Sequence, residues 1–293
     1  MKPIRIAHLS DFHLTELTIN PLRLLSKRLI GTLNWLFTRR NTFSKKQVTN
    51  LAPLLRSLDL DLILLGGDFT TTSLDSEFRQ AKTFTDSLTV PWLAIPGNHD
   101  AYTQKAYRQK VFYRYFTNDR PITHKTGFFK LSQHGVEAHR LGETTWWVVA
   151  LDTARATWTN SARGLFSEAT EKNLREILTL IPADHQIIAL NHYPFFQNDL
   201  ERRNLERGEF LKEIIVQDPR IKTYLHGHTH RHTIANLQPS GFPVVLDSGC
   251  CADRKKGSWN LLIIDDQGIQ IDVYIPKNND WTHSRTEKFA WTR

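Results

Sequence analysis

The chain has 293 residues, 40% of them hydrophobic and 23% charged, a balance that supports a full-sized buried core and excludes a disordered or fibrous protein. No apolar run approaches the roughly 20 residues of a membrane-spanning helix, and the N-terminus meets His8 before a secretory apolar core can form. The net charge of +8 is uneven, because residues 17–58 hold eight Lys or Arg and no acid while the rest is close to neutral.

Apolar runs at 2–9, 61–66 and 91–96 are predicted as short buried strands, each followed by a polar turn and a helical pattern. After the first strand, Leu22, Leu25, Leu29, Leu33 and Leu36 recur at helical spacing, with Pro21 at the helix start. Arg23, Lys27, Arg28, Arg39, Arg40, Lys45 and Lys46 surround them, so a basic amphipathic helix is expected as an insertion at about 20–42. Further helices are predicted at 45–57, 76–87 and 104–116. A second series of strands follows at 146–151, 186–190, 221–225, 244–246, 261–264 and 269–274, with helices at 167–181 and 204–215. The closing strands lie close together in sequence, as antiparallel neighbours do. The alternation predicts one α/β domain over 1–275, a two-sheet β-sandwich with helices outside, and a polar C-terminal tail at 276–293.

The polar residues that matter fall just after apolar strands, where open α/β sheets place their ligand sites. They are Asp11-Phe12-His13, Gly67-Asp68, Gly97-Asn98-His99-Asp100, Asn191-His192 and Gly227-His228-Thr229-His230. Carboxylate, amide and imidazole groups without thiolate suit divalent Mn, Fe, Zn or Co in an open site. Asp11 with His13, and His228 with His230, lie two apart and would share one side of an extended chain. Gly67, Gly97 and Gly227 each precede a candidate ligand and fit a backbone that turns sharply there.

Taken in order, the blocks D-x-H, G-D, G-N-H-D, H and G-H-x-H resemble the calcineurin-like metallophosphoesterase superfamily, over residues 11–230. Their spacing is similar to that of its single-domain bacterial phosphodiesterases. The resemblance implies a four-layer α/β/β/α fold and two divalent metal ions, Mn or a mixed Fe/Mn pair being preferred. It implies Asp11, His13 and His230 on the first ion, Asn98, His192 and His228 on the second, and Asp68 bridging both. It further implies His99 over the substrate phosphate as general acid or charge stabiliser, oriented by Asp100. The implied activity is phosphate-ester hydrolysis, foremost of a phosphodiester, by water activated between cations about 3.5–4 Å apart. At His192-Tyr193-Pro194 the chain departs from the His-His-Pro of many cyclic-nucleotide members.

His8, His124, His134, His139, His185, His232 and His283 have no place in this pattern and are assigned no role. Cys250 and Cys251 are read as small buried residues, and a reducing cytoplasm fits their low number. The basic segment should stand at the active-site mouth, so an anionic membrane surface at its inner face is an expected partner beside the phosphate-ester substrate. Three alternatives stay open. The helix can be a cap with a solvated basic face, the protein a membrane-surface pyrophosphatase for a nucleotide-sugar lipid or other lipid-linked substrate, or a non-catalytic metal-stabilised scaffold that binds a partner or nucleic acid.

Overall fold

The computed structural model describes residues 2–16, 27–117, 129–158, 161–197, 200–278 and 280–292. The first part of the predicted basic helix, with Pro21, Leu22, Arg23 and Leu25, lies outside the described residues, as does His124.

In chain order the strands are β1 (Ile4–Leu9), β2 (Leu62–Leu65), β3 (Trp92–Ala94), β4 (Val136–Arg140), β5 (Trp146–Leu151), β6 (Gly164–Leu165) and β7 (Gln186–Leu190). There follow β8 (Leu205–Glu206), β9 (Ile221–His226), β10 (Thr233–Asn236), β11 (Val244–Asp247), β12 (Trp259–Ile264), β13 (Gly268–Lys277) and β14 (Asp280–Ala290). One six-stranded sheet has the order β14-β13-β12-β1-β2-β3, and the other β10-β11-β9-β7-β5-β4. The site-forming strands run parallel within each sheet: β1, β2 and β3 in the first, β5, β7, β9 and β11 in the second. Their carboxyl ends therefore lie along one edge of each sheet.

Side-chain alternation makes the layers. Ile4 and Ile6 of β1 join Leu62, Leu64, Leu190, Leu225, Leu246 and Leu262 between the sheets, whereas Ala7 and Leu9 face outward to the helices. The helix Asp75–Asp86 lays Phe78, Ala81 and Phe84 on that outer face. On the second sheet Glu168–Leu180 and Gly208–Gln217 contribute Leu174, Ile177, Leu211 and Ile214. The first of these starts where the Ser167 side chain accepts the Thr170 N–H, an N-cap. The result is a helix–sheet–sheet–helix sandwich.

Several boundaries differ from the sequence reading, each for a local reason. The span 45–57 divides into Lys45–Thr49 and Leu51–Ser57, because Pro53 has no N–H to return to Thr49. The span 104–116 divides at Lys110, which takes φ +48° between Gln104–Arg108 and Phe112–Tyr115. The helix expected from 204 begins at Gly208, after Arg207 at φ +60° and the short β8. Strand β4 carries Glu137, His139 and Arg140, which hide its apolar alternation; His139 Nε2 lies 2.8 Å from Glu137 Oε1. Val244–Asp247 joins the second sheet parallel to β9 rather than pairing with the closing strands.

The expected polar tail is also corrected. Residues 280–290 form β14, which pairs antiparallel with β13 at the sheet edge. An edge ribbon exposed on both faces needs no apolar alternation, so its sequence looks like a tail. Its buried anchor is Trp281, whose Nε1 donates to the Gln47 carbonyl at 3.1 Å. Trp281→Ala should cost ~3 kcal/mol in urea unfolding; an unchanged midpoint would mean that this segment is held no more firmly than a tail.

Candidate metal centre

The turns after β1, β2, β3, β7 and β9 meet at the carboxyl edge of the two sheets. The Asp11 N–H donates to Gly67 O at 3.0 Å and the His13 N–H to Asp68 O at 2.9 Å, so the β1 and β2 turns extend the ladder between them. The Gly227 N–H donates to His192 O at 3.1 Å, joining the β9 and β7 turns of the second sheet, and the Cys251 N–H, just after β11, donates to Ser10 O at 3.0 Å, tying that sheet to the β1 turn.

Within this lattice Asp11, His13, Asp68, His228 and His230 take φ of +60°, +42°, +56°, +69° and +58°. Side chains with a Cβ rarely adopt that region. The chain at these positions is thus not extended, and His228 and His230 diverge instead of sharing one side. Of the three glycines, only Gly67 has a left-handed φ, +99°. Gly97 and Gly227 are required for closeness: a Cβ on Gly97 would sit 2.2 Å from Asp68 Oδ1, and one on Gly227 2.5 Å from Asp11 Oδ2.

Two groups of side chains converge. Asp11, His13, Asp68 and His230 bring ligand atoms within 4.8 Å of one another, and so do Asp68, His192 and His228. Asp68 belongs to both. Its Oδ1 accepts the His99 N–H at 2.7 Å, while Oδ2 lies 3.9 Å from His13 Nε2 and 3.5 Å from His192 Nε2. In the first group His230 Nε2 is 3.0 Å from Asp11 Oδ1 and 3.0 Å from His13 Nε2.

Ring orientation is set by carbonyls, which can only accept. His192 Nδ1–H donates to Gly66 O at 2.7 Å, leaving Nε2 toward Asp68. His228 Nε2–H donates to Arg203 O at 2.9 Å, leaving Nδ1 free to face inward. Asp11 is held by Ser10 Oγ at 2.7 Å and by the His228 N–H at 3.0 Å, both on Oδ2. Asn98 Oδ1 is buried and makes no hydrogen bond, and an orphaned amide oxygen of this kind suits a divalent cation. Cys250 also reaches the His13 and His230 donors, but its Sγ donates to Asp11 O at 3.2 Å. Burial pushes that thiol well above its usual range, so it acts as a neutral donor.

Electrostatics follow from this crowding. Burial works to raise Asp68, but the charges of His192 and His99 outweigh it and hold the carboxyl well below its usual range. Asp11 is lowered in the same way, burial being overcome by His230 and His13. His192 is its counterpart: burial lowers it, yet Asp68 raises it to about 9. Burial, with the charges of His192 and Arg203, pulls His228 well below its usual value against the opposing pull of Asp68 and Asp11.

Asp100 does not orient His99. Its oxygens accept the Phe69 N–H at 3.2 Å, the Thr70 N–H at 3.0 Å and the Gly97 N–H at 3.0 Å, stapling the β2 turn to the β3 turn. Burial, with Asp68 beside it, raises this carboxyl to about 7. His99 is instead held through Nδ1 by Thr71 O at 2.6 Å and stacks on Tyr102 at 5.4 Å. Gly66, Thr71 and Arg203 act here through backbone carbonyls, which no side-chain motif signals. His226, buried with Nδ1 3.5 Å from Asp247 Oδ2, was legible only as the residue before Gly227. Phe43, stacked on the His13 ring at 4.9 Å, comes from the strap after the basic helix.

A four-layer sandwich carrying a crest of oxygen and nitrogen donors at its parallel strand ends is the architecture of the metallophosphoesterases. The profile of the family described as calcineurin-like phosphoesterase matches residues 4–232, and the chain belongs to that family. Among solved structures it is similar to a dimetal phosphatase from Danio rerio, with a TM-score of 0.69 and 11% identity over 99% of both chains. It is also similar to a purple acid phosphatase from yellow lupin (Lupinus luteus) seeds, with a TM-score of 0.62 and 11% identity over 99% of this chain and 54% of that one. Identities this low speak for the fold alone. No curated protein matches at the sequence level.

Two outcomes are expected. Asp100→Ala strands three buried N–H groups, so urea unfolding should show a loss of at least ~3 kcal/mol together with weaker metal uptake; full stability would show that the staple is dispensable. Because His192 is raised to about 9 in the metal-free chain, it carries a proton at neutral pH that must leave before Nε2 can hold a cation. Mn2+ affinity should therefore rise as pH climbs toward about 9, and titration in weak buffer should release protons. Affinity that is flat with pH would contradict this protonation state.

Proposed function

We propose that the chain hydrolyses phosphate esters, phosphodiesters foremost, using two divalent cations. Asp11, His13 and His230 hold one, Asn98, His192 and His228 hold the other, and Asp68 is shared. The observation that carries this reading is the single oxygen, Asp68 Oδ2, that faces His13 on one side and His192 on the other. Donors of this chemistry fit Mn, Fe, Zn or Co, and we take Mn or a mixed Fe/Mn pair as the native metal. When bound, the ions supply Lewis acidity to phosphoryl oxygens and generate a nucleophile from water near neutral pH.

The chain's own residues do the rest. His99, with Nδ1–H fixed on Thr71 O, carries a proton on Nε2 to the departing alkoxide. Arg203, whose carbonyl anchors His228, lines the same cavity as Asn98 and His99 and offers charge to a substrate phosphate. Asp100 keeps the β2 and β3 turns in register, so that Asp68 and Asn98 keep their spacing.

A second reading, a lipid-linked phosphate ester or pyrophosphate, draws on the shape of that cavity. It holds about 570 Å³, with Asn98 and His99 among its lining and Ile30, Leu33 and Phe37 on another wall. Such a space suits an ester with one polar and one apolar end.

Purified protein with Mn2+ should hydrolyse bis(p-nitrophenyl) phosphate. His99→Ala should keep its metal and lose roughly 10²–10⁴ in kcat, whereas Asp68→Ala should lose metal. No turnover with any divalent ion, by a protein that takes up metal, would leave only the scaffold reading. For the second reading, kcat/KM should be higher for an acyl-bearing ester than for its short-chain analogue; equal values would remove it.

A further inference from the structure

The helix Lys27–Asn34 and its π-helical continuation Trp35–Arg39 sit on the domain the opposite way round from an ordinary surface helix. Lys27 and Arg28 make polar contacts to the body. Lys27 Nζ bonds Thr157 Oγ1 at 2.9 Å and Ser161 O at 3.1 Å, and lies 4.6 Å over the Tyr102 ring. Arg28 donates to Thr72 O at 3.0 Å and Ser73 O at 2.9 Å. Gly31 is buried between them, and a Cβ there would lie 2.8 Å from both Thr72 and Tyr102.

The side turned away is apolar, and its Leu33 and Phe37 also edge the open cavity that holds Asn98 and His99. Leu29, Leu33, Leu36 and Phe37 are exposed by 45%, 43%, 39% and 82%. A cap helix buries its apolar stripe and solvates its cations; here two cations face the body and the leucines face out. A contiguous exposed ridge of this kind marks a surface that meets something apolar.

Charge identifies what that is. The strap leaving the helix forms a bridge between Phe43 and Asp253, and Arg254 reinforces it, N–H to Thr42 O at 2.9 Å and Nε–H to Phe43 O at 3.2 Å. This brings the sequence-distant run Arg254, Lys255 and Lys256 beside Arg40, Lys45 and Lys46, all of them exposed. The acid of that run, Asp253, points its Oδ1 at the N–H groups of Lys255 and Lys256, 2.8 Å from each. A basic collar therefore stands at the end of an apolar ridge. Trp158, 82% exposed, stands in the loop that Lys27 clamps, and tryptophan favours the boundary between lipid and water.

We propose that this face docks on an anionic lipid bilayer, the ridge entering the headgroup boundary and the collar meeting lipid phosphates. Nucleic acid would engage the collar but leave the leucines in water, and a protein interface is depleted of charge at its centre. Docking needs neither metal nor turnover, so it stands or falls apart from the hydrolytic reading. The cavity wall of Ile30, Leu33 and Phe37 belongs to the same helix, which places the mouth of the candidate metal centre at the bilayer surface.

The test is flotation of the full chain with vesicles of phosphatidylcholine alone or mixed with phosphatidylglycerol, with duplex DNA as a third arm. Partitioning into the mixed vesicles should exceed that into neutral ones by at least about tenfold and fall with salt. Lys255→Glu with Lys256→Glu, and separately Leu29→Ser with Leu36→Ser, should each lower it by at least about tenfold. All four positions are exposed, and thermal melting followed by circular dichroism checks folding without reference to activity. Equal partitioning into both vesicle types overturns the proposal with no variant needed. So does binding that survives the leucine changes, or tighter binding to DNA.

Discussion

The structure turns on a backbone constraint: five side-chain-bearing residues, Asp11, His13, Asp68, His228 and His230, are held in the left-handed region at the ends of three strands. Each costs roughly 1–2 kcal/mol relative to ordinary backbone. Nothing local offsets this, so the surroundings must impose it. They do so through the bonds from Asp11 and His13 to the β2 turn, and from His228 to the Asp11 carboxylate. Because each turn is held by another turn, the two sheets fix the side chains jointly. A site assembled in this way cannot be moved residue by residue.

The same crowding sets the charge. Two carboxylates, Asp11 and Asp68, stay ionised in full burial because imidazoles surround them. An ion pair buried with this geometry is poor evidence of stability for its own sake, since desolvation offsets most of the attraction. It makes sense as a place that could hold cations. The close approach of Gly97 to Asp68 and of Gly227 to Asp11 belongs to the same economy of space, a requirement of contact more than of φ.

How much of this could be read in the sequence depends on where the physics is written. Strands buried on both faces announce themselves as apolar runs, so β1, β2, β3, β5, β7 and β9 were legible, and with them the positions just beyond. The five polar blocks were visible for the same reason. Two edge strands were not: β14 has one buried residue, and β4 hides its alternation behind Glu137 and His139. Within the site, side-chain chemistry could be inferred but backbone chemistry could not. His99 next to Asp100 suggests an imidazole steered by its neighbour, yet the carboxylate turns to three N–H groups and a carbonyl, Thr71 O, steers the ring. Adjacent residues in a tight turn point apart, and only the folded path shows what each one meets.

The basic helix shows a second limit of periodicity. A stripe of leucines on one side and cations on the other establishes that a helix is amphipathic, but not which side the domain takes. Gly31 decides it. By removing a Cβ from the contact with Thr72 and Tyr102, it lets the helix settle on the β2 and β3 turns together, beside Tyr102 of the turn that carries His99 and with Arg28 reaching the Thr72 and Ser73 carbonyls of the β2 turn. The polar side becomes the inside, and the leucines are left outside by default. That arrangement couples the helix to the candidate catalytic turn through Tyr102, which stacks on His99 on one side and meets Lys27 on the other. The exposed ridge thus belongs to an element two contacts away from His99, and the same helix lines the cavity that holds Asn98 and His99.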